Sequence, residues 1–133
     1  MWDWLCYDDG GEDDLWSRWY RGADDAVRGK HDSIMDFLEC RSAGEWRTNQ
    51  HTKKIDDDLI EIRVHGSVQH RLLGFFGPGR GQFTFVISCT HKNSVYSPKK
   101  AKKTAATRKR AIEGGTANVR ACQRPEEDDE AEQ

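Results

Sequence analysis

Hydrophobic and polar positions follow two different periods along this chain, and the change falls near residue 59. In the first half Leu15, Trp16, Trp19, Tyr20 and Ala23 recur at spacings of three and four, and Val27, Ile34, Met35 and Leu38 continue as a second stripe. That period predicts helix from Asp13 to Arg41, in two pieces broken near Gly22 or Gly29. Glu12, Asp13 and Asp14 supply negative charge where the first piece starts, near Leu15. Ahead of it, the apolar run Met1–Tyr7, ended by Asp8-Asp9-Gly10-Gly11, predicts a strand and a turn. Lys53–Asp58 reads as a polar loop.

From Leu59 the period is two. Leu59, Glu61 and Arg63 fall on one face of a strand, and Ile60, Ile62 and Val64 on the other. His65-Gly66-Ser67 predicts a turn, His70–Phe76 a second strand, Gly77-Pro78-Gly79-Arg80-Gly81 another turn, and Gln82–Thr90 a third strand. Turns this short predict an antiparallel meander. Ser97-Pro98 then offers a helix cap and a first-turn proline, for a helix ending at Gly114-Gly115. Its apolar members are Ala101, Ala105, Ala106, Ala111 and Ile112, so it docks shallowly. The expected organisation is one α+β domain over residues 1–115, with helices on a sheet and a basic last helix, followed by a disordered acidic tail over 116–133.

Composition narrows the function classes. The chain has 133 residues, 33% of them charged, and its mean hydropathy is −0.91. No apolar stretch approaches the ~20 residues of a membrane-spanning helix. Cys6, Cys40, Cys89 and Cys122 show no paired ligand spacing, so neither a zinc motif nor a cofactor is expected, and scattered thiols suit a reduced, cytoplasmic chain. The net charge of −2 conceals strong segregation. Residues 1–58 carry 15 acidic and 8 basic side chains, residues 59–124 carry 2 and 13, and residues 125–133 carry 6 and none. A middle section this basic points to a polyanionic partner.

Three segments resemble one known family. Lys54-Ile55-Asp56-Asp57-Asp58-Leu59-Ile60-Glu61-Ile62-Arg63 resembles the "K-L-x-x-G-L-x-E-L-R" segment of RelE/HigB-type toxins, especially their phage-derived branch. His70-Arg71-Leu72-Leu73-Gly74-Phe75-Phe76 resembles that family's "Y-R-V-L-Y-F-F" strand. Lys92-Asn93-Ser94 followed by Ser97-Pro98-Lys99-Lys100 resembles its "K-K-T-x-K-T-P" run. The likeness spans about residues 14–113, with Asp58 at a usual glycine and Asn93 at the second lysine of the pair. It implies a RelE-like fold and the toxin of a type II toxin–antitoxin pair. Such proteins cut mRNA in the ribosomal A site without a metal, by attack of the ribose 2′-hydroxyl on its own phosphate, and an antitoxin protein holds them inactive.

That chemistry needs an acid–base group and cations for the charge that builds on phosphorus. Arg63 and Arg71 lie on neighbouring strands, and on a common face their forked donors grip one phosphate. The plainer alternative is two solubilising surface arginines. His91 and Lys92 end the third strand, His91 as acid–base group and Lys92 as transition-state stabiliser. His65 and His70 are weaker candidates, His31 and His51 fall outside, and Tyr96 suits base stacking, weak acid work or packing. Lys54 is an expected RNA or ribosome contact, and Lys99, Lys100 and Lys103 are expected RNA contacts in the last helix, whose charges before Glu113 are all positive. The five tryptophans read as core. A non-catalytic phage or mobile-element protein that binds nucleic acid on the same fold is the second reading, and a module that pairs its basic helix with an acidic protein is the third.

Overall fold

A computed structural model describes residues 2–46 and 50–126. The chain opens with β1 (Asp3–Tyr7) and three helices, α1 (Leu15–Gly22), α2 (Asp25–Glu39) and the single turn α3 (Ala43–Trp46). The sheet continues with β2 (Thr52–Ile55), β3 (Leu59–Val64), β4 (His70–Phe76), β5 (Gln82–Lys92) and β6 (Val95–Ser97). Helix α4 (Ala101–Glu113) and β7 (Val119–Ala121) complete the described elements. The strand order is β2-β3-β4-β5-β1-β7, with β6 alongside the second half of β5. Every pairing is antiparallel except that of β1 with β5. This is the α+β architecture expected of a RelE-like chain. Among the described residues no helix is long and apolar enough to cross a membrane.

The helical half breaks at Gly22, while Gly29 lies inside α2. The reason is capping. The Asp14 carboxylate accepts the Ser17 amide at 2.9 Å and starts α1. The Asp24 carboxylate accepts the Val27 amide at 2.9 Å and starts α2. The two stripes meet the sheet as one face, where Trp16, Met35, Leu38 and Trp46 bury against Ile60, Ile62, Leu72, Phe83 and Phe85. Trp2, Trp4 and Trp19 pack around that core.

Three sequence expectations are corrected. Edge strand β2 (Thr52–Ile55) takes up the first half of the anticipated polar loop Lys53–Asp58, and it pairs with β3 from Thr52↔Ile62 to Ile55↔Leu59. Lys53 and Lys54 point to opposite faces of this edge strand and both reach water, so no alternation marks it in the sequence. The last helix starts at Ala101 instead of Pro98, because Val95–Ser97 hydrogen-bonds to the end of β5 and holds Ser97 in the sheet opposite Thr90. Third, the chain stays ordered beyond Gly115. Val119–Ala121 adds β7 to β1, and Arg120 Nη1 donates to the Gly11 carbonyl at 2.7 Å. Met1 and the acidic residues 127–133 lie outside the described residues.

Two turns account for departures from the family segments. Asp57 and Asp58 both have positive φ, at 61° and 56°. This is left-handed backbone that glycine adopts freely and that aspartate tolerates better than most residues. Asn93 and Ser94, at 51° and 65°, form a two-residue hairpin between Lys92 and Val95, where asparagine is favoured.

Candidate active site

The site is assembled on the sheet face that α4 covers, just beyond the N-terminal end of that helix. Leu59, Leu73, Phe75 and Val86 fill the face beneath Ala101, Ala105, Ala106 and Ile112. The small alanines let the helix sit close, but it covers only part of the strands' length.

Arg63 and Arg71 are direct cross-strand partners, and Arg71 is in turn opposite Cys89. Opposite residues in an antiparallel pair share a face, so these three side chains form a row. Two residues further along β5, on the same side, comes His91, whose partner on β6 is Tyr96. The His91 and Tyr96 rings lie 4.9 Å apart, centroid to centroid.

A β-bulge makes this row possible. Leu73 pairs with Ile87, yet its neighbour Gly74 pairs with Phe85, so Val86 is an extra residue in β5. Before the bulge Phe83 and Phe85 point to the tryptophan core; after it Ile87, Cys89 and His91 point towards α4. Arg108 of α4 donates to the Val86 carbonyl at 2.7 Å and stacks over Tyr7, with its guanidinium carbon 4.3 Å from the ring centroid.

Glu61 holds the row together and is 3% exposed. One carboxylate oxygen accepts from Arg63 Nε at 2.8 Å and lies 3.4 Å from Arg71 Nε. The other accepts the Tyr96 hydroxyl. Arg71 is 6% exposed and donates through Nη1 to the His70 carbonyl at 2.9 Å. Its Nε–H, however, is buried without a hydrogen-bond partner. Burial pushes the Glu61 carboxyl up, but the hydrogen bonds from Tyr96 and Arg63 and the charges of both arginines outweigh it and hold it below the usual carboxylate range. Burial, followed by the bond to Glu61, pushes the Tyr96 phenol up, so it stays a donor. Burial, reinforced by the Glu61 charge, pushes the Cys89 thiol up to about 12. With one anion against two arginines, the cluster keeps a net positive charge.

The structure therefore brings Arg63, Arg71 and His91 to one face. Lys92 is exposed at the end of β5, and strand alternation turns it to the opposite face. Lys54 is on edge strand β2 and pairs with Asp58 at 2.8 Å, apart from the row. Lys99, Lys100 and Lys103 are exposed around the start of α4. Lys100 and Lys103 line a cleft of about 400 Å³ with Tyr7, Thr104, Thr107 and Arg108. Other basic residues of α4 serve the fold: Lys102 pairs with Asp56 at 2.7 Å, and Lys109 donates to the Asp57 carbonyl at 2.9 Å.

The remaining histidines lie elsewhere. His70 accepts from Trp19 Nε1 at 3.2 Å on the α1 side. His31 is buried, accepting from Trp16 Nε1 at 3.0 Å with its other nitrogen 2.9 Å from Asp32. His51 and His65 line a cleft of about 570 Å³ along α2. Sequence reasoning placed Glu61 on the right strand face but gave it no role. A signal was present, since Glu61 is the only acidic residue between Leu59 and Arg110 and stands two residues before an arginine on the same face.

The family model described as "Phage derived protein Gp49-like (DUF891)" matches residues 18–110. This chain belongs to the Gp49-like family. The family is phage-derived and related to toxin–antitoxin systems. The match runs from within α1 to within α4, so it covers all the residues of the Gp49-like row from Glu61 to Tyr96 and leaves out β1 and β7. No curated protein and no solved structure matches the chain.

Proposed function

We propose that this Gp49-like protein is the toxin of a type II toxin–antitoxin pair and cuts mRNA on the ribosome without a metal in the reaction. The observation that carries this reading is Arg71, a buried arginine facing Arg63 in a row that also holds a histidine and a phenol, the two guanidinium groups sharing the single carboxylate of Glu61. Two guanidinium groups against one carboxylate leave a positive charge uncompensated, and a phosphate is the anion such forked donors fit.

In the proposed reaction His91 takes the proton of the ribose 2′-hydroxyl. The 2′-oxygen attacks phosphorus, the bond from phosphorus to the 5′-oxygen breaks, and a proton from His91 or water goes to that oxygen. The products are a 2′,3′-cyclic phosphate and a 5′-hydroxyl. Arg63 and Arg71 stabilise the charge on the non-bridging oxygens, while the Tyr96 hydroxyl stays donated to Glu61 and braces that anchor. Glu61 is a weak base because its proton affinity is held down, so its part is to position the two arginines and Tyr96. Lys99, Lys100 and Lys103, beside the cleft, track neighbouring phosphates. Lys54 and Lys92 make peripheral RNA or ribosome contacts. The cognate antitoxin is a protein that covers this basic face.

Induced expression in a bacterium, with transcript ends mapped, tests the reading. The expected result is growth arrest and new ends within codons, both abolished by His91→Ala and by Arg71→Lys while the soluble protein level holds. Normal growth with intact mRNA, together with salt-sensitive RNA binding by the purified chain, would overturn catalysis in favour of a nucleic-acid-binding accessory protein. Relief of arrest by a small protein encoded next to the gene is the expected sign of the antitoxin.

A further inference from the structure

Cys6, Asp14 and Cys122 come from three separate places in the chain and converge at the far edge of the sheet. Cys6 is on β1, fully buried, and Asp14 is the N-cap of α1. Cys122, 8% exposed, follows β7, and its amide donates to the Trp4 carbonyl at 3.1 Å. Both sulfurs and a carboxylate oxygen all lie within 4.8 Å of one another, and Cys6 Sγ is 3.6 Å from Asp14 Oδ1. A zinc ion holds thiolate sulfur at about 2.3 Å and carboxylate oxygen at about 2.0–2.2 Å, so tetrahedral bonding sets a sulfur–oxygen separation of roughly 3.5 Å.

The geometry points to a zinc site formed by Cys6 Sγ, Cys122 Sγ and an Asp14 carboxylate oxygen, with water completing the tetrahedron. Two soft sulfur ligands select a borderline-soft divalent ion over magnesium or calcium. Binding is not a redox step: two S–H bonds break, two Zn–S bonds form, and two protons pass to solvent. The neighbouring Cys122, then burial and the Asp14 charge, push the Cys6 thiol up. A divalent cation among the three groups reverses that repulsion. The ion ties β7 and the start of α1 to β1. All three ligands lie outside residues 18–110 and away from the arginine row, so the site is separate from the proposed catalysis.

Cobalt(II) titration of the full-length, reduced and metal-stripped protein is the test, because thiolate–cobalt bonds give a near-ultraviolet charge-transfer band and tetrahedral cobalt gives intense visible bands. The expected result is one equivalent bound with both signatures, displaced by zinc and not by magnesium. Cys122→Ser and Cys6→Ser should each weaken binding by more than the ~100-fold that an outer-sphere partner contributes. Asp14→Asn should weaken it while keeping the sulfur band, and Cys40→Ser should change nothing. Circular dichroism confirms that each variant is folded; if Cys6→Ser is not, Cys122→Ser at the partly exposed end of the site decides alone. No thiolate band in the wild type, undiminished binding in Cys122→Ser, or a Cys6–Cys122 disulfide recovered from reducing cytosol would overturn the site.

Discussion

The two faces of the sheet solve opposite problems. The α1/α2 face is filled with rings: Trp16 lies 4.2 Å from Phe85 and Trp46 lies 5.1 Å from Phe83, centroid to centroid. Its buried histidine, His31, has a partner on each nitrogen. The α4 face packs small alanines over the sheet and then, past the end of the helix, leaves Glu61, Arg63 and Arg71 in a partly covered row with one donor unmatched. A close-packed aromatic face supplies stability, and that reserve lets the other face keep a costly polar arrangement. The stable side and the reactive side share the same strands, since alternate residues of β3 and β4 serve each.

Substitutions should separate the two faces. The largest effect is expected on the aromatic side, where Trp16→Ala should cost about 4 kcal/mol in a urea melt, from lost burial and a cavity. Next, on the charged side, Glu61→Gln should cost about 3 kcal/mol, because Arg71 keeps its charge in a buried place without its counterion. That variant should also lose cleavage, even where it folds, as the arginines and Tyr96 lose their common anchor. Between the faces, Gly74→Ala should cost about 2 kcal/mol by crowding the bulge. A Cβ there would meet the Thr84 carbonyl at 2.4 Å and the Phe83 ring at 2.6 Å.

Acid should unsettle the faces in turn. Burial holds His31 below the usual histidine range despite the opposing pull of Asp32. The unfolded chain therefore takes up that proton first, and stability should fall as pH drops below about 6.5. Glu61 also has a lowered value in the fold, so its contribution is full above about 4.3 and is lost as pH falls through the lower folded value. A thermal melt series from pH 8 to 3 should show both losses, with His31→Gln reducing the earlier one and leaving the part due to His70, which burial also holds below the usual range. The smallest change in stability is expected at the exposed Lys103. Lys103→Ala should stay within about 0.5 kcal/mol of wild type. It should nevertheless reduce the slope of log affinity for RNA against log salt by about 1.

The local periods were enough to place α1, α2 and the β3-β4-β5 meander, because each buries a continuous apolar face that shows in the order of residues. They were also enough to put Arg63 beside Arg71 on adjoining strands, where a short turn leaves little freedom of register. Features with weak or distant signals escaped. Edge strands β2, β6 and β7 bury little, and the parallel pairing of β1 with β5 joins residues nearly eighty positions apart.

The orientation of His91 shows the division most clearly. Strict alternation puts Phe83, Phe85, Ile87, Cys89 and His91 on one face, and nothing in their order says otherwise. Only the folded sheet inserts Val86 as a bulge, pinned by Arg108 from a helix that comes later in the chain. The sequence by itself determined α1, α2, the β3-β4-β5 meander, the segregation of charge and the placing of the two arginines on adjoining strands, all legible in the order of residues. Tertiary structure decided which side of the sheet His91 faces, that Glu61 neutralises part of the arginine charge, and that Cys6, Asp14 and Cys122 meet. Each of these depends on contacts between strands and helices far apart in the chain, where local spacing carries no information.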